Sequence, residues 1–131
     1  MIPVYQTAFG GPDSPTPGDC FRACVASILE LPINEVPHFC ATEEWIPPLQ
    51  AWFRERGWMP LLVAGDIGCW LLDAYHVAAG PGSRDGCAHC VVCRGDELAH
   101  DPLPGGMGLS SVAKRVLFVA IDPVLKQRSE A

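Results

Sequence analysis

A chain of 131 residues, 49% hydrophobic and 18% charged, has the balance of one soluble globular domain, too small for two cores and too apolar for disorder. Nine basic against fifteen acidic residues leave a net charge of −6, and Lys and Arg form no stripe. Phosphate backbones are bound through clustered cations, so nucleic acid is not an expected partner.

No apolar run reaches the roughly 18–20 residues that span a bilayer, so membrane insertion is not expected. Met1 to Gln6 has neither the basic start nor the apolar core of a secretory signal. The expected location is cytoplasmic, where the seven cysteines would be reduced.

In chain order, residues 2–6 are short and β-prone, and residues 10–18, rich in Gly and Pro, form a loop. The clearest helix follows. Asp19 is its expected N-cap, and Phe21, Cys24, Val25 and Ile28 recur at helical spacing before Leu31-Pro32 ends it. Residues 34–36 read as a turn between prolines. Thr42-Glu43-Glu44 is a second helix-start signal, with the regular part expected from about Pro47 to Arg56 and a stop at Gly57.

Residues 59–63 and 75–79 read as strands, while 69–72 is ambiguous. A second breaker loop, 80–86, leads into the apolar strand His89 to Cys93. Residues 94–96 are a hairpin turn, 97–100 the return strand, 114–121 the last strand and 126–131 a polar tail. A helix-rich start followed by hairpin-linked strands predicts one α+β domain over residues 1–125 with a mostly antiparallel sheet.

Cys20 falls in the first turn of the best helix, where free N–H groups and the macrodipole favour thiolate. At 100° per residue it lies about 90° from the centre of the apolar stripe, at the rim of the core. Cys24, one turn on, reads as packing. The neighbouring Asp19 carboxylate would oppose thiolate formation. Taken alone, Cys20 is more often a small buried hydrophobe than a nucleophile.

A nucleophile needs a base, and the base a partner that orients it. His89 opens a strand after a glycine-rich loop, whereas His38, His76 and His100 read as structural. Asp101 ends the strand that pairs with the one His89 begins. Their sharing a face depends on parity. A two-residue Gly95-Asp96 turn puts them on opposite faces, whereas an odd-length turn or a β-bulge puts them on one.

Gly18-Asp19-Cys20-Phe21-Arg22-Ala23-Cys24 through Leu31-Pro32 resembles the nucleophile helix of papain-like cysteine peptidases, closest to the small bacterial branch that includes bacteriocin leader-processing (double-glycine) peptidases. His89-Cys90-Val91-Val92 and His100-Asp101-Pro102-Leu103-Pro104 resemble the second half of small bacterial and phage members. The resemblance covers roughly residues 2–122 and implies a papain-like cysteine proteinase fold. It also implies peptidase or amidase chemistry on a peptide or amide substrate, with no cofactor or metal. Cys20 would attack a carbonyl, His89 shuttle the proton and Asp101 hold the imidazole.

The Cys20 N–H and a glutamine side chain would meet the oxyanion. The family's glutamine lies about six residues before the nucleophile, where this chain has Ser14; Gln6 is the only upstream glutamine and the candidate donor if the proline-rich loop is an insertion. Two rivals remain. One is a catalytically inactive papain-like binding module. The other is a metal site on Cys87, Cys90 and Cys93, disfavoured because Cys90 and Cys93 would point to opposite faces of a strand.

Overall fold

The computed structural model describes residues 1–11, 14–65, 73–84 and 87–121. The ambiguous stretch 69–72 and the tail 126–131 lie outside the described residues. Helix α1 spans Cys20–Leu29 and helix α2 Ile46–Arg54. The strands are β1 (Trp58–Ala64), β2 (Tyr75–Pro81), β3 (Ala88–Arg94), β4 (Glu97–His100) and β5 (Lys114–Ala120). They form a five-stranded sheet in the order β1-β5-β2-β3-β4, every neighbouring pair antiparallel. The architecture is α+β, two helices on an antiparallel sheet.

The sheet's central register carries the core. Val77 of β2 lies opposite Val92 of β3 on one side and Val116 of β5 on the other, so three valines form a row across three strands. Phe21, Cys24 and Val25 of α1 and Leu49 and Phe53 of α2 close over that row. Because side chains alternate along a strand, the adjacent row faces the other way. Ala78, Val91 and Cys93 there form a smaller cluster with Leu109 and Val112. Helix α1 packs on β3 and β2, which brings its first residue close to the head of β3.

Several boundaries differ from the sequence-based expectation for identifiable reasons. Helix α1 ends before Leu31-Pro32, because Glu30 adopts φ 57° and both Glu30 N–H and Leu31 N–H return to Ala26 O. Thr42 does not start α2. A helix begun there would need N–H groups from Pro47 and Pro48, whereas starting after Trp45 places both prolines in the first turn, where no N–H is required.

Residues 2–6 are not a strand. Their neighbours are α1 and the segment after β4, which offer isolated acceptors: Ile2 N–H to Ser27 O, Val4 N–H to Ser27 Oγ and Gln6 N–H to Pro102 O. Gly80 and Pro81 belong to β2 rather than to the loop, since a proline at a strand end removes no needed hydrogen bond. Among the described residues no helix is long and apolar enough to cross a membrane.

Candidate active site

Cys20 is the first residue of α1 and half-buried. Asp19 occupies the N-cap position but does not cap with its side chain. Its buried carboxylate instead accepts from Thr7 N–H at 2.8 Å, Thr7 Oγ1 at 2.6 Å and Ala8 N–H at 2.9 Å. Burial works to raise the Asp19 pKa, and those hydrogen bonds outweigh it and lower it. The side chain expected to cap the helix therefore ties down the N-terminal segment. The first N–H groups of α1 are left without a side-chain cap, beside the Cys20 sulfur.

His89 is the second residue of β3 and buried, and its Nε2 lies 2.6 Å from Asp101 Oδ1. The hairpin between them has the two-residue turn that would separate them, with Arg94 opposite Glu97. One step further a bulge intervenes: Cys93 pairs with Leu98, but Val92 pairs with His100. The extra residue, Ala99, shifts parity by one and returns Asp101 to the His89 side. Asp101 is fixed by two more donors, Leu103 N–H on Oδ1 and Gly108 N–H on Oδ2, both at 2.9 Å.

Two glycines make room for this pair. A Cβ on Gly106 would stand 2.4 Å from Asp101 Oδ2, and one on Gly82 would stand 2.8 Å from His89 Cβ.

With Nε2 given to Asp101, Nδ1 is the ring nitrogen left to face the Cys20 sulfur, whose interaction with the ring raises the His89 pKa. A second thiol also meets that sulfur. Hydrogen bonding with the Cys90 thiol of β3 is the largest influence on Cys20 and lowers its pKa. Burial opposes it, and the hydrogen bond and charge of His89 add to it, so the Cys20 pKa falls from 9.0 to about 5.

The same contact, together with burial, pushes Cys90 well above an ordinary thiol, which keeps it a proton donor. For His89, burial favours the neutral ring, but the hydrogen bonds to Cys20 and Asp101 and their charges outweigh it and raise its pKa. These shifts run in the direction that favours a thiolate on Cys20 beside a protonated His89. Cys90 was not read from the sequence as part of such a site. Strand alternation carried the signal: if His89 points to one face, Cys90 points towards the helix that bears Cys20.

A cleft of about 360 Å³ opens over Cys20, walled by Gln6, Phe9, Gly18, Arg84 and Cys87 among others. Gln6, fourteen residues upstream, thus lies at the cleft despite the loop between them. It is buried, and its Nε2 donates to Ala8 O at 3.0 Å, leaving the second N–H of the amide uncommitted. Its Oε1 is buried with no hydrogen-bond partner among the described residues.

The remaining histidines are held by structural partners. His38 Nε2 lies 3.2 Å from Pro17 O and His100 Nε2 2.7 Å from Val4 O. His76 accepts from Arg115 Nη1 at 2.8 Å and donates through Nδ1 to Ala74 O. Cys24 is fully buried, and burial raises its pKa well above the ordinary value. Cys90 packs against the core that holds α1, while Cys93 lies in the cluster on the opposite face. Among the described residues, no group of three or more His, Cys, Asp or Glu side chains is placed to hold a metal ion.

Comparisons with protein-family descriptions, curated proteins and solved structures find no match.

Proposed function

We propose that the chain is a papain-like cysteine hydrolase, a peptidase or amidase that works through Cys20, His89 and Asp101 and a covalent acyl-enzyme. The observation that carries the reading is the 2.6 Å bond from His89 to Asp101 beside a cleft that holds Cys20 at the start of α1, with pKa shifts of Cys20 and His89 that run in opposite directions.

In this reading Cys20 Sγ attacks the carbonyl carbon of an amide, and the carbonyl oxygen takes up negative charge. The Cys20 backbone N–H and the uncommitted Gln6 Nε2 hydrogen would meet that charge at the cleft. His89 Nδ1–H protonates the leaving amine as the C–N bond breaks, leaving a thioester on Cys20. Water then attacks the thioester, giving its proton to Nδ1, and the thiolate departs. Asp101 holds the ring in the tautomer that faces Cys20 and stabilises its charged form. The Cys90 thiol supports the anion on Cys20 before attack and after release.

The test is acylation by p-nitrophenyl acetate followed by intact-protein and peptide mass spectrometry. The reading expects a burst of nitrophenolate and one acetyl group on Cys20, removable by hydroxylamine and absent from Cys20→Ala. Acetylation spread over several thiols, or no burst, would overturn it.

A further inference from the structure

Among the described residues that wall the Cys20 cleft, Arg84 is the one ionisable side chain apart from thiols. Its Nη2 donates to Phe9 O at 2.9 Å, seventy-five residues away in sequence, which anchors the guanidinium to another residue of the cleft wall. A guanidinium carries five N–H donors, and no other hydrogen bond or ion pair engages this one among the described residues. It is half-buried, and it also borders a second cleft, of about 550 Å³, lined by Pro81, Ser110 and Ala113.

In the same cleft the buried Gln6 Oε1 lacks a donor among the described residues. A buried acceptor without a partner is costly, so a ligand that supplies an N–H there would relieve it. The cleft thus brings together an anchored cation, an amide oxygen that lacks a donor among the described residues, and the Cys20 sulfur.

We propose that Arg84 selects substrates bearing a carboxylate close to the amide that Cys20 attacks. The carboxylate is an acidic side chain or a chain-terminal α-carboxylate, bound by the guanidinium N–H groups that Phe9 O leaves unused. The inference rests on the reading of Cys20 as nucleophile. Arginine suits the task because its planar fork pairs with carboxylate oxygens bidentately, and one anchored nitrogen leaves the other edge of the fork in a fixed orientation.

Two alkylating agents of nearly equal size, anionic iodoacetate and neutral iodoacetamide, test it without a known substrate. The readout is the ratio of their second-order rate constants at Cys20, which cancels changes in the thiolate itself. The ratio is measured for the native chain, Arg84→Gln and Arg84→Lys at low and high ionic strength. The expected ratio falls about fivefold in Arg84→Gln, the upper range for a partly exposed charge pair. It recovers largely in Arg84→Lys, and added salt lowers it in the native chain and in Arg84→Lys but not in Arg84→Gln. Selective labelling of Cys20 with a ratio indifferent to Arg84 would overturn the carboxylate inference alone. Labelling without preference for Cys20 would overturn both it and the nucleophile on which it rests.

Discussion

Replacing Asp101 with alanine will cost both reactivity and stability, the largest combined effect expected of any single substitution in the site. Its two carboxylate oxygens accept three hydrogen bonds, from His89 Nε2, Leu103 N–H and Gly108 N–H. Alanine leaves the two backbone donors without an acceptor, at about 1–3 kcal/mol each where buried. The melting midpoint should fall by on the order of 10 °C for a domain of this size. Turnover should fall by about 10²–10⁴-fold, because the imidazole loses both its orientation and the charge that stabilises its protonated form.

Asparagine repairs little. With acceptors needed on both sides of the carboxylate, an amide must turn its NH2 towards one of the donors. Scanning calorimetry together with the rate of Cys20 acylation checks both halves. Native stability in Asp101→Ala would show that the loop after β4 does not depend on this side chain.

His89→Ala should separate the two effects. Asp101 keeps Leu103 and Gly108 as donors, so the fold loses only the packing of one ring and its interactions with Asp101 and Cys20, within about 2 kcal/mol. Reactivity suffers far more. Without the imidazole, Cys20 keeps the Cys90 hydrogen bond but loses the His89 hydrogen bond and charge, so its pKa rises. Each unit of that rise cuts the thiolate fraction about tenfold at pH values below it. The leaving amine also loses its proton donor, so amide turnover should fall by a further 10²–10⁴-fold or so. Site-resolved alkylation at about pH 6 reads the first loss and steady-state kinetics the second. Unchanged alkylation in His89→Ala would mean that the imidazole plays no part in activating Cys20.

The legible parts of the fold were those set by local chemistry. The apolar stripe of Phe21, Cys24 and Val25 marks a helix whatever it packs against, and the Gly95-Asp96 turn marks a hairpin. His89 at the head of a strand and Cys20 at the head of a helix followed from the same local signals. Asp101 could be reached only conditionally, because its face depends on one extra residue. Ala99 is an ordinary residue, and nothing in its identity announces a bulge.

The role of Asp19 was misplaced for a related reason. Its position before the helix was read correctly, but the donors that claim its carboxylate, Thr7 and Ala8, come from a segment whose path no local pattern sets. Gln6 reaches the cleft along that same segment, held by Pro102 O and by the contact of His100 with Val4 O. Cys90 drew attention for its spacing from Cys87 and Cys93. Its contact with Cys20 requires knowing which sheet face α1 covers.

The proposed chemistry requires Cys20 to be a thiolate near neutrality, whereas burial and its neighbours hold Cys24, Cys40 and Cys90 as thiols. The most direct test follows carbamidomethylation of each cysteine by peptide mass spectrometry from about pH 4 to about pH 10. With a pKa of about 5, Cys20 is roughly nine-tenths thiolate at pH 6, against about one part in a thousand for an ordinary thiol at 9.0. Cys24 and Cys90, both pushed well above that value, should stay unlabelled until far more alkaline pH, and Cys40, at about 11, should lag likewise. The account predicts labelling confined to Cys20 at about pH 6, falling away as its thiolate is protonated near pH 5. A Cys20 profile that rises only near pH 9, in step with the other cysteines, would contradict it.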